Sequence, residues 1–298
     1  MKFVILAPSY NENIGGIIAL HRLCHLLIQE GHDASIWPYK KPRLSANPLR
    51  NIYLRIKYAN RIRKSPFQLN PILNSRIAEA TDIDDAIVIY PEIIQSNPLN
   101  AAKVVRWFLY SPNSSLRKPI DYREGELYFY FHKVFNDDEI NPDSDNQLQT
   151  YWLRDDIYSN QHRDKRSGSC HILRKGKRRK LIHDTSDSIL IDGKSHTEIA
   201  DIFNSVEYCI SYDPHTLYST YAALCGCTSI IVPDEDQKHS DASSSNRRPG
   251  IAYGFEQIEH ARATQGEALT LIKTLEQKSN DTVKRFVKKC RRHFYNQS

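Results

Sequence analysis

The sequence predicts an α/β protein with two domains, and three observations support this prediction. Short apolar runs rich in β-branched residues alternate with segments of helical periodicity, as in parallel strand–helix–strand units. Each half of the chain opens with such a strand and a turn, and a polar stretch at residues 159–168 separates the halves. The 298 residues suffice for one large domain or two ordinary ones. We expect two Rossmann-like domains facing each other across a cleft, over residues 1–160 and 168–276, and then a basic amphipathic helix over residues 277–298.

The first domain is predicted to begin with a strand–helix–strand unit. Lys2–Ala7 is the first strand, Ile17–Glu30 is an amphipathic helix, and Ala34–Trp37 is the second strand. Gly15 and Gly16 lie in the polar turn before the helix, which lacks the G-x-G-x-x-G spacing of a dinucleotide-binding site. The glycine pair indicates either a flexible turn or a close approach of the backbone to a ligand.

Two more strands, Asp84–Tyr90 and Val104–Tyr110, are predicted in the first domain. A short helix at Asn97–Lys103 separates them, and a β-prone aromatic stretch at Glu126–Phe135 follows. Glu92 comes just after the first of these strands. Because α/β enzymes place active-site groups at the carboxyl ends of parallel strands, Glu92 is a candidate site residue, although an ordinary loop glutamate is the commoner case.

The second domain is predicted to open with the strands Ser169–Leu173 and Ser188–Ile191. The turn after the first strand is densely basic. Ser195 and Glu198 have the spacing of a capping box, which predicts a helix over Thr197–Ser205.

The stretch from Glu207 to Asp234 has the most informative pattern of the second domain. It predicts a strand at Tyr208–Tyr212, a helix at His215–Leu224 that ends at Gly226, and a strand at Ser229–Val232. The start of such a helix lies at the carboxyl end of the sheet.

Asp213 is predicted to cap this helix, and Pro214 fits its first position. The free N–H groups in the first turn of a helix can bind an anion. Polar side chains cluster at this end of the helix: Asp213, His215, Thr216, Tyr218 and Ser219. The pattern fits a phosphate site, and it also fits a structural unit with a polar cap.

Two segments are strongly basic. Between Lys40 and Lys64 all charged residues are Lys or Arg, and Ile and Tyr residues lie among them. After a predicted helix over Glu256–Glu276, the tail Asp281–Phe294 places apolar residues on one helical face and cations on the other. Both segments fit an anionic membrane surface. Nucleic acid or a solvated helix are the alternatives for the first segment, and docking on the first domain is the alternative for the tail.

Composition and local motifs exclude several classes of protein. No apolar run reaches the roughly 20 residues of a transmembrane helix and no secretory signal pattern is present, so we expect a cytoplasmic protein. The six cysteines lie in apolar contexts and are expected to be buried free thiols. Cys225 and Cys227 have no second pair at metal spacing. A Walker A loop and the signatures of common hydrolases are absent.

Three stretches of the chain resemble the two-domain (GT-B) nucleotide-sugar glycosyltransferases of bacterial cell-surface polysaccharide synthesis, the lipopolysaccharide and capsule type. Residues 9–34 resemble the opening of that family, and residues 190–204 resemble its nucleotide-side strand and helix. Residues 207–234 resemble its donor motif, in which two Glu eight apart precede A-x-x-C-G and an apolar strand. In this chain Asp213 takes the first acidic position and Tyr221 the second.

The resemblance implies a donor site in the second domain. In the family the first Glu region meets the sugar and the second Glu holds the ribose. Tyr221 has no carboxylate, so the mode of ribose recognition and the identity of the donor stay open. The family's diphosphate is neutralised by an Arg and a Lys, which Arg174 and Lys177 resemble loosely. The expected donor-binding residues are Gly15, Gly16, Arg174, Lys175, Lys177, Gly193, Tyr212, Asp213, Pro214, His215, Thr216, Tyr218, Ser219 and Tyr221.

The implied reaction transfers a sugar from a UDP-, GDP- or CMP-linked donor to a saccharide or lipid-linked saccharide, in the cytoplasm or at the inner face of the membrane. Neither a metal nor another cofactor is expected, because basic groups stabilise the leaving phosphate in such enzymes. An inverting reaction needs a base, for which Glu92 and then His132 are candidates, whereas a retaining one needs none. The alternatives are a metal-dependent glycosyltransferase that uses the acidic residues within 136–145, and a basic nucleic-acid-binding protein, although no nucleic-acid partner is expected.

Overall fold

The structure is a computed structural model that describes residues 1–43, 47–111, 122–163, 165–214, 216–233 and 248–295. The chain divides into two compact units: unit 1 is Met1–Trp152 together with Glu276–Ser298, and unit 2 is Leu153–Leu275. Each unit contains a five-stranded sheet in which all neighbouring strands are parallel. The predicted α/β class with two Rossmann-like sheets is thereby confirmed.

Unit 1 has the strand order β2-β1-β3-β4-β5. Its strands are β1 (Lys2–Ala7), β2 (Asp33–Pro38), β3 (Ile87–Pro91), β4 (Lys103–Phe108) and β5 (Leu127–Tyr130). The chain winds outward in opposite directions from β1 and β3. In sheets of this kind ligands bind beyond the carboxyl ends of the two strands at which the direction reverses, which is called the switch point.

Two helices cover one face of the unit 1 sheet. Helix α1 (Gly15–Gln29) connects β1 to β2. The second helix is the C-terminal part of α6 (Ala268–Tyr295). Phe286 of α6 packs against Phe3 of β1 and Phe129 of β5 in a single apolar core. The C-terminal tail therefore forms part of the unit 1 core.

Helix α2 (Pro48–Lys64) is the basic segment between β2 and β3. The Asn47 side chain accepts a hydrogen bond from the N–H of Arg50, and Pro48 occupies the first turn, so both features favour a helix start here. None of the residues of α2 is buried.

Unit 2 repeats the same winding, with the strand order β10-β9-β8-β6-β7. Its strands are β6 (Ser169–Ile172), β7 (Ser188–Leu190), β8 (Tyr208–Ser211), β9 (Thr228–Ile231) and β10 (Ile251–Tyr253), and its helices before α6 are α3 (His196–Ser205), α4 (Tyr218–Leu224) and α5 (Ile258–Thr264). The switch point of this sheet lies between β6 and β8.

The capping box at the start of α3 is confirmed. The hydroxyl of Ser195 accepts from the N–H of Glu198, and the Glu198 carboxylate accepts from the N–H of Ser195 at 2.9 Å. The positive φ of 86° at Gly226 confirms the predicted end of α4, because a side chain is strained in that conformation.

Three predicted helices differ from the observed ones. The segment Asn97–Lys103 is not helical, because the Asn97 side chain binds the N–H and the carbonyl of Ala101 and so replaces helical hydrogen bonds. The helix predicted from His215 begins at Tyr218. The helix predicted over Glu256–Glu276 is divided into α5 and the start of α6, and α6 continues without a break through the separately predicted tail helix to Tyr295.

Candidate functional site

The switch point of unit 2 brings together two loops. One follows β6 and contains Arg174 and Gly176, and the other follows β8 and begins with Tyr212. A Cβ atom at Gly176 would lie 2.2 Å from the carbonyl oxygen of Tyr212, so only glycine lets the two backbones approach this closely.

Asp192, which follows β7, fixes the loop after β6. Its carboxylate accepts hydrogen bonds from the N–H of Leu173 at 3.2 Å and from the N–H of Arg174 at 2.7 Å. Arg174 has a φ of 39°, a conformation that is uncommon for a residue with a side chain. The two hydrogen bonds hold the backbone of Arg174 in this conformation and thereby direct its side chain.

The guanidinium of Arg174 lies over the ring of Tyr218, 4.2 Å from the ring centroid. The Tyr218 hydroxyl is 3.3 Å from Nε2 of His196, and Nδ1 of His196 is 2.6 Å from the hydroxyl of Tyr158. All three of these aromatic residues are buried. Arg174 is therefore held by a cation–π contact above a hydrogen-bonded aromatic layer.

Tyr221 belongs to the same layer. Its ring is stacked on that of Tyr158, with 4.2 Å between the centroids and an angle of 4° between the planes. Burial also raises the pKa of the Tyr158 hydroxyl above its usual range. The side chain of Tyr221 thus packs beneath the site in the place where the family resemblance expects a ribose ligand.

The turn between β8 and α4 differs from the sequence prediction. Asp213 is buried, but it does not cap α4, whose first residue is Tyr218. The N–H of Tyr218 donates to the Thr216 hydroxyl at 3.3 Å. The predicted start of the helix at His215 with Asp213 as its cap is therefore wrong, and the anion site expected there stays a prediction. His215 lies outside the described residues.

Ser219 contributes a polar atom below this turn. Ser219 is fully buried, and its hydroxyl has no hydrogen-bond partner among the residues that the structure describes. A buried hydroxyl without a partner is uncommon in folded proteins and indicates a place where a ligand or water can bind.

Two arginines that the sequence analysis did not select hold the loops at this edge. Arg179 donates to the carbonyl oxygens of Tyr212 and Val232, both at 2.9 Å. Arg248 donates to the carbonyl of Pro214 at 3.1 Å and to the Thr220 hydroxyl at 3.3 Å. The sequence does not show whether a basic residue binds a ligand or a backbone carbonyl of the protein. No sequence signal therefore distinguished Arg179 from the neighbouring basic residues.

The remaining predicted donor residues of unit 2 occupy different environments. Lys175, Lys177 and Gly193 are exposed. Tyr212 is fully buried, and its hydroxyl accepts from the N–H of Ile182 at 2.8 Å and lies 2.7 Å from Nδ1 of His183. The ring of Tyr212 is therefore a core side chain, and only its backbone borders the switch point.

The candidate residues of unit 1 also lie at the carboxyl edge of their sheet. Glu92 follows β3, is only 5% exposed, and accepts a hydrogen bond from the N–H of Leu109 at 3.1 Å. His132 follows β5, is half-buried, and lies 3.5 Å from the Tyr151 hydroxyl. Gly15 and Gly16 form the first turn of α1, and a side chain at Gly15 would meet nothing within 4 Å.

His21 is a buried histidine at the same edge that the sequence analysis did not select. Its Nε2 lies 3.1 Å from the carbonyl oxygen of Pro8, and its Nδ1 has no partner among the described residues. Burial lowers its pKa. A histidine on the apolar face of α1 was the only available signal, and such residues usually serve the core.

The acidic segment between residues 136 and 145 has basic and amide partners. Asp138 binds Lys133 and Asn136, Asp143 binds Lys289 at 2.7 Å, and Asp145 lies 3.8 Å from Arg285. Across the described part of the chain, no three His, Cys, Asp or Glu side chains cluster as metal ligands would. The observed role of these carboxylates is to bind neighbouring side chains.

The fold and the site define a protein of two Rossmann-like units with a basic, aromatic-backed site at the switch point of unit 2. All six cysteines are buried and free, as predicted. No helix in the described ranges has the length and apolar character needed to cross a membrane.

Comparisons with known proteins gave weak matches. No protein-family model matches the chain, and no curated protein matches it. A Listeria monocytogenes protein assigned as a UDP-N-acetylglucosamine 2-epimerase is 10% identical over 100% of this chain and 97% of its own, with a TM-score of 0.43. The glycotransferase of kitacinnamycin is 8% identical over 98% of both chains, with a TM-score of 0.39. Sucrose-phosphate synthase from Thermosynechococcus elongatus is 9% identical over 96% of this chain and 94% of its own, with a TM-score of 0.37. At these values the function has to be argued from the site.

Proposed function

We propose that the protein is a glycosyltransferase that moves a sugar from a nucleotide-sugar donor to a saccharide or lipid-linked saccharide acceptor. The donor's diphosphate binds at the switch point of unit 2. The observation that supports this most strongly is the fixed guanidinium of Arg174 at the carboxyl end of β6, held by Asp192 through its backbone and by Tyr218 through its side chain.

The groups around Arg174 suit a diphosphate. A guanidinium can donate two parallel hydrogen bonds to phosphate oxygens, and the exposed Lys175 and Lys177 add positive charge. The buried Ser219 hydroxyl is available as a further donor. Asp213, at the end of β8, can accept hydrogen bonds from the hydroxyl groups of a sugar. These residues provide hydrogen-bond donors for a diphosphate and an acceptor for a sugar at the carboxyl edge of the unit 2 sheet.

The same groups would assist the chemical step. When the bond between the anomeric carbon and the diphosphate breaks, negative charge grows on the leaving phosphate. A cation already held in place lowers the energy of that charge without having to reorganise. For an inverting reaction Glu92 and His132 stay the proposed bases, since both follow carboxyl ends of unit 1 strands.

The carboxyl edge of the unit 1 sheet supports a partly apolar acceptor. Ile14, Tyr39, Ile93 and Val134 follow β1, β2, β3 and β5, and all four are exposed. Exposed apolar side chains after these strands are available to contact the apolar part of an acceptor bound at this edge. We therefore propose a lipid-linked saccharide acceptor and a location at the cytoplasmic face of a membrane.

Calorimetric titration of the full chain with UDP, GDP and CMP and with their sugar conjugates tests the donor site. Arg174→Ala removes the stacked cation and should weaken binding of the preferred nucleotide sugar by about 10- to 100-fold, the range for a lost hydrogen bond to a charged group. Lys180→Ala is the matched control, because Lys180 is an exposed cation of the same basic turn. This control should change the affinity by less than about twofold.

Two results would count against the proposal. Equal affinities of the wild type and Arg174→Ala would move the phosphate site away from the switch point. A wild-type chain that binds none of these nucleotides would remove the glycosyltransferase assignment itself.

A further inference from the structure

Helix α2 exposes most of its surface although it is rich in apolar residues. Its half-buried side chains, Asn51, Leu54 and Tyr58, are spaced as one face of a helix. This face packs loosely on unit 1. The opposite face of α2 therefore points away from the unit that carries it.

The outward face of α2 is an apolar stripe. Leu49, Ile52, Tyr53 and Ile56 have the spacing i, i+3, i+4 and i+7, and they are 79%, 56%, 61% and 57% exposed. Single exposed apolar residues are common on protein surfaces, but four on one helical face form a contiguous patch. Such a patch indicates a surface that is covered in use.

Cations flank the stripe on both sides. At 100° per residue, Arg50, Lys57, Arg61 and Lys64 lie along one flank, Arg55 lies on the other, and Arg63 follows the line of the stripe at the C-terminal end of the helix. The helix contains no acidic residue. Within the described residues, none of these six side chains lies within 4.0 Å of a carboxylate oxygen.

We propose that this outward face of α2 docks on an anionic lipid bilayer. The stripe enters the boundary between headgroups and acyl chains, and the flanking cations contact the lipid phosphates. Charge complementarity alone would also fit nucleic acid. However, charged phosphates dominate the surface of a nucleic acid, and they would meet aliphatic side chains at the centre of the contact. The arrangement of apolar centre and cationic flanks favours a lipid surface.

The end of α2 lies close to the candidate acceptor edge of unit 1. The N–H of Gln68 donates to the Ser9 hydroxyl and the N–H of Tyr10 donates to the Gln68 carbonyl, both at 2.8 Å. Ser9 and Tyr10 directly follow β1. If the acceptor is lipid-linked, a step that rests on the proposed function, docking through α2 places the membrane surface beside the edge that receives it.

Co-sedimentation of the full chain with vesicles tests the docking. Wild-type protein should bind vesicles that contain phosphatidylglycerol far better than pure phosphatidylcholine vesicles, and added salt should weaken that binding. The double variant Ile52→Ser, Ile56→Ser should lower the partition coefficient by about tenfold or more. Leu269→Ser is the matched control, because Leu269 is an exposed leucine on α6, and it should leave binding unchanged.

A second pair of variants separates local charge from net charge. Replacing Arg50, Lys57 and Arg61 with Gln removes three cations from α2, and replacing Lys288, Arg291 and Arg292 with Gln removes three exposed cations from α6. The α2 variant should bind anionic vesicles about 30-fold or more weakly. The α6 variant should lose less than about threefold.

Three outcomes would overturn the proposal. Equal losses in the two triple variants would mean that net charge alone attracts the protein. Unchanged vesicle binding by the double Ser variant would remove the stripe from the contact. Binding to a duplex oligonucleotide that exceeds vesicle binding and survives the Ser substitutions would assign the face to nucleic acid. Because vesicle binding needs neither donor nor transfer, these outcomes are independent of the calorimetric test of the donor site.

Discussion

Helix α2 and the C-terminal part of α6 have nearly the same sequence pattern but opposite environments. Each combines an apolar stripe with many Lys and Arg residues. The stripe of α2 is exposed, whereas Val283, Phe286 and Cys290 of α6 are fully buried in the unit 1 core. From the sequence, both segments fit an anionic membrane surface, and docking on the first domain is the alternative for the tail. For α6 the structure agrees with docking on the first domain, since its apolar stripe is covered by the unit 1 core.

The difference lies in what surrounds the stripe. The cations of α6 have acidic neighbours: Lys289 binds Asp143, and Lys284 lies 3.8 Å from Glu30. Two hydroxyls of α6 also bind backbone groups of residues 149–151. Ser279 accepts a hydrogen bond from the N–H of Tyr151, and Thr282 accepts one from the N–H of Gln149. An amphipathic pattern thus indicates that one face of a helix is covered. Complementary charges and hydrogen-bond partners elsewhere in the chain show which surface covers it.

The largest contrast is expected for truncation of the two stripes. Phe286→Ala should destabilise unit 1 by about 3–5 kcal/mol, because the ring contacts Phe3 and Phe129 in a closed core. Ile56→Ala on α2 should change stability by less than about 0.5 kcal/mol. Urea unfolding followed by tryptophan fluorescence measures both, since Trp37, Trp107 and Trp152 are the three tryptophans of the chain and all lie in unit 1.

Far-UV circular dichroism of the same samples provides the control. Unit 2 has no tryptophan, so its unfolding should appear only in the dichroism signal and should be unaffected by Phe286→Ala. Equal unfolding midpoints for Phe286→Ala and Ile56→Ala would show that the α6 stripe is as loosely packed as that of α2.

A smaller effect is expected for the buried hydroxyl that joins α6 to unit 1. The Thr282 hydroxyl accepts from the N–H of Gln149 at 3.0 Å and donates to its carbonyl at 2.9 Å. Thr282→Val keeps the shape but leaves both backbone groups buried without this partner, which should cost about 1–3 kcal/mol in the fluorescence-detected unfolding. Thr270→Val, at an exposed position of the same helix, should be close to neutral. A neutral Thr282→Val would mean that water replaces the hydroxyl.

The sequence predicted those parts of the molecule whose signals are local. Buried strands such as Lys2–Ala7 follow from apolar runs, and the start of α3 follows from Ser195 and Glu198, because a capping box involves only four neighbouring residues. β10 was missed, because its apolar run lies between a long polar segment that ends at Gly250 and a second glycine, Gly254. The start of α4 was also missed, although Asp213 and Pro214 are strong start signals. The Asp213 carboxylate is buried at the end of β8, and the turn it begins is held by Arg248, far away in the sequence.

The candidate site shows the same division. Basic residues after β6 were visible in the sequence, but the position of Arg174 depends on Asp192, Tyr218 and His196 from three other segments. Likewise, Tyr212 and Tyr221 resemble ligand-binding side chains in sequence and are packed rings in the structure. Contacts between distant segments decide which polar residues face a ligand, and a single sequence does not record them.

The smallest expected effect concerns the ion pair that distinguishes α6 from α2. The ammonium of Lys289 lowers the pKa of the Asp143 carboxyl through a hydrogen bond, and the N–H of Asp145 lowers it further. Because the folded pKa lies below the unfolded one, the pair stabilises the fold above the unfolded pKa, near 3.9, and this contribution disappears as the pH falls through the folded pKa. Asp143 is largely exposed, so we expect only about 0.2–1 kcal/mol.

Lys289→Met should therefore lower the fluorescence-detected unfolding free energy slightly at pH 7, and the difference from wild type should vanish in acid below the folded pKa. Lys288→Met, one residue earlier and exposed, should show no such pH dependence. A double variant with Asp143→Asn isolates the pair, because the two substitutions should then be less than additive. If the Lys289 and Lys288 variants behave alike at both pH values, the acidic loop contributes nothing to the docking of α6. The contrast with α2 would then rest on apolar packing and the buried hydroxyls alone.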